Sequence, residues 1–368
     1  MKRILAQARK ELSQFWRDRL TVALAIVLPL LTLFIFGFAI RLGSQDLPLV
    51  VQDLDISPHS RAYGEQLFAT NQFKPVPWPL DRPVAAALDQ GQAKAVVVIP
   101  PDFQRQITQG QPVTIQVLID GTDANNARFL QNAIRATTNA FNQSLVPQPL
   151  PLPVTVATRL WFNPGRQESL FIVPGVLGVV LWIFPSLLAA IAMVREKERG
   201  TIIQVYASDL RAEELLLGKG LAYLGVGLVE ALVVIGLAMV IFGLGFAGDP
   251  TPFLLGTPIF LAAAVMFGLF VGVRANSQNA AVQGVALVGF LTALLLSGFI
   301  YPLANIPFPL SMVSNVVPAR YYIALSRDAF VRGSGWPGVW WQVGMILVLG
   351  LVLFAVARRL LHRMKLPD

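Results

Sequence analysis

Residue types able to do chemistry are scarce in this chain, and where they fall limits what it can be. It has no cysteine, so disulfides, thiolate metal sites and cysteine nucleophiles are excluded. Its only two histidines, His59 and His362, lie outside every long apolar stretch. Neither can meet a serine or a metal inside a bilayer, which removes intramembrane serine and zinc proteases. An intramembrane aspartyl protease needs two carboxylates, and the apolar stretches carry one, Glu230. No G-x-x-x-x-G-K-[ST] phosphate loop occurs anywhere, so any energy the protein uses comes from a partner or a gradient. Glu230 follows Gly225 and Gly227 in an apolar run, where an ionisable group is costly. It can line a substrate path or pair with a basic group across a subunit interface. It can equally reach interfacial water or the polar groups of a neighbouring helix. The other concentration of polar groups is Arg195-Glu196-Lys197-Glu198-Arg199-Gly200-Thr201, followed by Ile202-Ile203-Gln204-Val205-Tyr206 and then Glu213-Glu214. Mixed charge beside an apolar stripe suggests a short amphipathic helix, either a docking element or a solvated face.

The elements that must position these groups are membrane helices. Of 368 residues, 55% are hydrophobic and 14% charged, against roughly 25% charged in ordinary soluble domains. A bilayer's hydrocarbon is about 30 Å thick and takes roughly 20 apolar residues per helix. Leu20 to Ile40, Leu170 to Val194, Pro250 to Val273, Ala275 to Ala319 and Gly333 to Ala357 carry no charge, and Gly220 to Gly248 carries only Glu230. Soluble core helices rarely run so long without a polar face. Six spans are expected, at about residues 20–40, 170–194, 220–246, 253–273, 280–300 and 337–357. Span four has Ala264, Gly268 and Gly272 at four-residue intervals, a spacing that lets helices approach closely, within the chain or between two copies.

The net charge of +8 is a topology signal. Lys2, Arg3, Arg9, Lys10, Arg17 and Arg19 precede span one. Arg195, Lys197, Arg199, Arg211 and Lys219 lie between spans two and three. Arg274 follows span four, and Arg358, Arg359, Arg363 and Lys365 follow span six. All fall on one side, which the positive-inside rule makes cytoplasmic, with both termini there. No role in nucleic-acid binding is expected. Ile4, Leu5, Ala8, Leu12, Phe15 and Trp16 recur at helical spacing, so residues 1–19 read as an amphipathic helix along the cytoplasmic bilayer surface. The first apolar stretch is longer than a cleavable signal and reads as a retained helix. Trp161, Trp336, Trp340 and Trp341 suit interfacial anchoring.

Residues 41–169 form a neutral segment with ten basic and ten acidic residues, expected outside the cytoplasm. Leu49 to Leu54 reads as a strand, Ser60 to Asn71 as a helix, Val84 to Asp89 as a short helix and Ala95 to Ile99 as a strand. Val113, Ile115, Val117 and Ile119 alternate with period two, as in a half-buried strand. Phe129 to Leu145 carries the apolar stripe of a long helix, with Asp123 or Asn125 available to cap it. Pro147, Pro149, Pro151 and Pro153 make a stiff connector, and Val154 to Leu160 reads as a returning strand. The segment is expected to be a small α/β domain.

Several runs together carry a family resemblance. These are Phe171-Ile172-Val173-Pro174-Gly175, Met193-Val194-Arg195-Glu196-Lys197-Glu198-Arg199-Gly200-Thr201, and Leu215-Leu216-Leu217-Gly218-Lys219. With them go Leu296-Ser297-Gly298-Phe299-Ile300-Tyr301-Pro302, Pro307, and Val317-Pro318-Ala319-Arg320-Tyr321-Tyr322. Arg17-Asp18-Arg19, Phe36-Gly37, Ile99-Pro100-Pro101-Asp102-Phe103 and Asp120-Gly121-Thr122-Asp123 also fit. In this order the chain resembles the permeases of type-2 ABC exporters, in the multidrug-efflux branch with a large extracytoplasmic domain after the first span. The resemblance implies an α-helical integral membrane protein of six transmembrane helices with an inserted α/β extracytoplasmic domain. It implies a non-catalytic subunit of a bacterial inner-membrane transporter, with ATP and Mg bound by a separate ABC ATP-binding subunit. A second permease chain, identical or paralogous, would complete the pathway, and the outer domain is left open to touch substrate, recruit a periplasmic adaptor or cap the path. Residues 195–219 would be the coupling loop, with Arg195 to Thr201 meeting the ATPase. Residues 301–332 would form short re-entrant helices on the outer side, where Pro302, Pro307 and Pro318 break helices and Arg320 needs a polar setting. Residues 358–368 would be a cytoplasmic tail.

The expected substrate is hydrophobic or amphipathic, a drug or lipid-like compound, although a polysaccharide permease would be similar in composition. Two other classes compete. A membrane-anchored sensor would use the outer domain for ligand, and an ion-driven secondary transporter would be expected to show inverted repeats and several intramembrane polar groups.

Overall fold

The structure is a computed structural model that describes residues 1–39, 46–79, 82–122, 124–145, 162, 167–200 and 211–363. The chain divides into two compact units, Met1–Arg41 with Arg159–Asp368, and Leu42–Thr158. The first unit opens with α1, Lys2–Arg17, and α2, Arg19–Ala39. Asp18 between them caps α2, accepting the Thr21 backbone N–H at 3.1 Å and its hydroxyl at 2.6 Å. This local bond turns the chain from an amphipathic helix directly into an apolar one.

The second unit combines a four-stranded sheet with helices. Its strands are β1 (Leu47–Asp53), β2 (Phe73–Pro75), β3 (Ala95–Ile99) and β4 (Gln116–Ile119), interleaved with α3 (Pro58–Ala69), α4 (Ala85–Asp89), α5 (Phe103–Thr108) and α6 (Ala124–Ser144). The sheet order is β2-β1-β3-β4, with β1 parallel to both neighbours and β4 antiparallel to β3. Parallel neighbours need crossover helices, which α3 and α4 supply. Ser57 caps α3, accepting the Ser60 N–H at 3.2 Å. Leu49, Tyr63, Leu67, Val97, Ile99 and Leu130 fill its core. Tyr63 joins α3 to α6 through a 2.8 Å bond with Thr138. The strand expected from Val113 begins only at Gln116, because β3 ends at Ile99 and Pro100-Pro101 follow without N–H donors. Val113 and Ile115 still pack on the core. The short β2 and α5 carry too little periodicity to be read from sequence. Asp123, the proline connector and the strand expected at Val154 to Leu160 lie outside the described residues, as does Trp161.

The larger unit continues with α7 (Ser169–Glu198), α8 (Ala212–Phe242) and α9 (Thr251–Arg274). Next α10 (Gln278–Gly284) runs through a π-turn, Val285–Phe290, into α11 (Leu291–Leu295). Short helices α12 (Leu310–Ser314) and α13 (Pro318–Arg327) precede α14 (Trp336–Arg363). Among the described residues, six helices are long and apolar enough to cross a membrane: α2, α7, α8, α9, the α10–α11 pair and α14. At 1.5 Å per residue α7 is about 45 Å long, more than a bilayer's hydrocarbon, so its charged last turn continues as helix. The expected loop 195–219 is therefore narrower: α7 runs to Glu198 and α8 starts at Ala212. Thr201 and residues 202–210 lie outside the described residues. The fifth span also ends earlier than expected, at Leu295, and Gly298 at φ +83° turns the chain.

Most of α7 is buried among its neighbours. Its seam with α9 is a backbone contact. A Cβ on Gly268 would lie 2.0 Å from the Ser186 carbonyl oxygen, and one on Gly272 would lie 2.7 Å from that of Ala190. The Ser186 hydroxyl donates to the Ala264 carbonyl at 2.7 Å. The small-residue spacing of Ala264, Gly268 and Gly272 thus serves packing within the chain. Farther along α9, the Tyr322 ring of α13 stacks on Phe260 at 4.1 Å, and its hydroxyl meets Thr257 at 3.0 Å.

Gly268→Val should lower stability by at least about 3 kcal/mol, because the obstacle is a backbone carbonyl and not a flexible side chain. Gly236→Ala, where nothing lies within 4 Å, should leave stability nearly unchanged. Thermal melting of the two purified variants in detergent checks both.

Candidate functional site

Polar groups from several helices converge on the last turns of α7. Lys197 donates to the backbone carbonyls of Gly272 and Ala275, each at 3.1 Å, and to that of Val273. These are the carbonyls at the C-terminal end of α9, which have no partner within their own helix. Glu198 accepts the Gln278 backbone N–H at 2.8 Å and its side-chain amide, at the start of α10. A carboxylate there also suits the positive end of the helix dipole. Arg195 reaches Asp18 at 3.4 Å. The Thr21 hydroxyl, then its backbone N–H, hold the Asp18 carboxyl below its ordinary range, with Arg195 adding to this. The stabilisation so gained is present above the unfolded-state value, about pH 3.9, and lost as pH falls. Farther out, Arg358 of α14 pairs with Glu213 at 2.6 Å.

The centre of this region is buried. Lys219 has no exposed side-chain surface and donates to Glu11 at 2.5 Å, to Glu196 at 3.4 Å and to the Ala192 carbonyl at 3.2 Å. Lys10 donates to Glu196 at 2.9 Å, and the Gln7 amide to Glu11 at 3.0 Å. Two cations thus face two carboxylates, a balance that makes the burial tolerable. Close approach is needed: a Cβ on Gly218 would lie 2.7 Å from the Gln7 side chain. Glu196, expected as a surface contact for a motor, is instead inside, because α1 lies over it. Of the expected coupling residues, Glu198, Arg199 and Gly200 are exposed, and Gly200 closes the helix at φ +68°. The sequence reading missed the roles of Lys10, Glu11 and Lys219. A signal was there, since Glu11 falls between Ala8 and Phe15 on the apolar stripe of α1.

Glu230 lies on α8 about three helical turns, roughly 16 Å, beyond Lys219. It is 4% exposed, and among the described residues neither carboxylate oxygen has a hydrogen-bond partner. It lines a cavity of about 280 Å³ whose other walls are apolar, including Phe15 and Trp16 of α1 and Val22 and Ala25 of α2. The expected outer segment lies at the opposite ends of α9 and α14. Pro302 and Pro307 are exposed, while Pro318 is buried at the first turn of α13. Arg320 donates to Asn315 Oδ1 at 2.6 Å and to the Ser314 hydroxyl at 3.1 Å. Arg327 donates to the Gly298 carbonyl at 2.8 Å and lies 4.0 Å from the centre of the Phe171 ring.

Among the described residues, six helices are long and apolar enough to cross a membrane, and two short helices precede the last of them. A family model described as ABC-2 family transporter protein covers residues 19–359. The chain belongs to the ABC-2 transporter family. Over 363 residues this ABC-2 chain is 27% identical to the probable multidrug ABC transporter permease YbhS of Escherichia coli (strain K12), covering 97% of the chain and 93% of YbhS. It is 28% identical over 348 residues to the inner membrane transport permease YhhJ of the same organism, covering 89% and 91%. It is 20% identical over 393 residues to the linearmycin resistance permease protein LnrN of Bacillus subtilis (strain 168), covering 98% and 100%.

In this ABC-2 protein, Lys219→Met should cost about 3–5 kcal/mol, because Glu11 then stays buried without its cation. The double variant Glu11→Met/Lys219→Met keeps the Lys10–Glu196 pair and should recover a large part of the loss. A double-mutant cycle on melting temperature reads this directly.

Proposed function

We propose that this chain is the permease subunit of an ATP-driven exporter of hydrophobic or amphipathic compounds. Two of these chains, or one and a paralogue, would enclose the pathway. A separate ATP-binding subunit would hold ATP and Mg and dock at the polar end of the bundle. The family membership and the permease names of the relatives support the reading. One observation in the structure carries it: the end of α7 is bonded to α1, to the start of α2, to α8, to the end of α9 and to the start of α10.

A soluble motor can move membrane helices only through contacts that differ between its states. A push on the exposed residues Glu198, Arg199 and Gly200 would be delivered at once to every helix tied to this point. In this reading Arg195, Glu196 and Lys197 are positioning residues. They hold the node together, while Glu198, Arg199 and Gly200 face the motor. The positive-inside pattern makes this end cytoplasmic, with both termini there, in a bacterial inner membrane. The α/β unit would then be extracytoplasmic, where a periplasmic adaptor could meet it. Glu230 would lie beside the route taken by substrate through the membrane.

Charge reversal at the exposed end, Glu198→Lys/Arg199→Glu, should lower export by about tenfold or more, the size of a typical coupling free energy. Melting temperature should fall only slightly, by the loss of the Glu198 bonds to Gln278, and the ATP hydrolysis of the co-purified subunit should persist. Dye export and ATP hydrolysis in proteoliposomes check this, and full export by the double variant would reject the docking assignment.

A further inference from the structure

We propose that the cavity beside Glu230 is a binding site for a lipophilic amine, a molecule with one basic amino group on an apolar body. The first observation is the carboxyl itself. It is 4% exposed, and neither of its oxygens is hydrogen-bonded among the described residues. A buried polar group without a partner is costly, so the site is incomplete as it stands. The second is the surrounding space. About 280 Å³ lies against Glu230, and the other lining side chains are aliphatic or aromatic, the indole N–H of the exposed Trp16 being the one further polar group. Water does not complete it well, because a buried water takes about two to four polar partners and these side chains offer one carboxyl and one N–H.

The chemistry of the walls selects the class of ligand. A single acidic group with two free oxygens calls for a single basic group, and a carboxylate favours a donor that carries positive charge. A polyamine would bury further cations without partners, and an anionic headgroup that carries no amine would meet repulsion. The volume is at the small end for a ligand site, which suits a compact apolar body. Entry is from the side of the bundle. Trp16, Ile26 and Val229 line the cavity and are themselves 63%, 41% and 56% exposed, on surfaces of α1, α2 and α8. Phe15 and Trp16 place α1 along one wall, so the amphipathic helix forms part of the pocket as well as the polar node. The amine could belong to a free amphiphile or to the headgroup of phosphatidylethanolamine. The two share the same donor.

The proposal refines the reading of Glu230 as a residue beside the substrate route, but it is tested by binding alone, without ATP or a motor subunit. Failure to bind is thus distinct from failure to export. The full chain is placed in phosphatidylcholine nanodiscs and titrated with dansylcadaverine, a fluorescent primary amine, and with its N-acetylated neutral analogue, reading fluorescence anisotropy. The amine should bind more tightly than the analogue. Glu230→Gln, nearly isosteric, should weaken the amine about tenfold or more while leaving the analogue unchanged. Ala25→Phe, which fills the cavity, should abolish binding of both, with melting temperature followed to confirm that each variant is folded. Adding phosphatidylethanolamine to the discs should compete with the probe in the unaltered chain, and not in Glu230→Gln, if the lipid is the occupant. No competition assigns the site to a free amine. Equal affinity for amine and analogue, or an amine affinity unaffected by Glu230→Gln, would overturn the proposal.

Discussion

The membrane unit depends on the burial of one helix. α7 has few solvent- or lipid-facing side chains along most of its length, so its neighbours must close around it with little between the backbones. Ser186 and Ala190 of α7 meet Gly268 and Gly272 of α9 through carbonyl oxygens, at distances that exclude any side chain. On another face, a Cβ at Gly178 would lie 2.3 Å from the Ile323 side chain of α13. Helices in lipid gain nothing from hydrophobic association with each other, so packing of this closeness and a few interhelical hydrogen bonds must hold them. The Ser186–Ala264 and Thr257–Tyr322 bonds are of that kind. With α7 fixed at its middle, its charged end is a rigid projection, and the short helices before α14 have a wall to pack on.

The two ends of the bundle use different physics. At one end, charged side chains satisfy what helix termini leave unpaired. Lys197 takes the last carbonyls of α9, Glu198 the first N–H of α10 and Asp18 the third N–H of α2. At the other, the backbone does most of the joining. The Ala247 N–H donates to the Ala329 carbonyl at 2.8 Å, and Gly248 and Gly333 touch through main-chain atoms. Arg327 is the main charged tie there, and it grips carbonyls of the Gly298 turn. A force applied to the first end therefore meets stiff ionic joints. The second is held by a few hydrogen bonds between loops.

Much of this was legible in the sequence. Apolar stretches of bilayer length located all six spans, since nothing else in a chain of this composition can hide so much apolar surface. Alternating charge located the ends that gather around α7. The strands β1 and β3 followed from their apolar runs. Three things were not legible. The helix ends were misjudged because hydropathy stops at Val194, whereas hydrogen bonding continues to Glu198. The positions of Glu11, Lys219 and Glu196 are set by which helix covers which, and a charged residue looks solvated until its cover is known. The partners of Arg327 depend on a turn some thirty residues away. Long-range pairing of this sort leaves no periodic trace.

The junction of Lys219 with Glu11 also sets an order of events during synthesis. Glu11 is made early, yet its cation is more than two hundred residues downstream. At roughly 5–20 residues per second, the N-terminal helix waits about 10–40 s before the hairpin of α7 and α8 can receive it. Throughout that interval the bilayer surface is the natural host for its apolar stripe. Seating of α1 is thus a late act that reports on the correct insertion of two spans, and a chain whose hairpin is misplaced leaves its own beginning adrift.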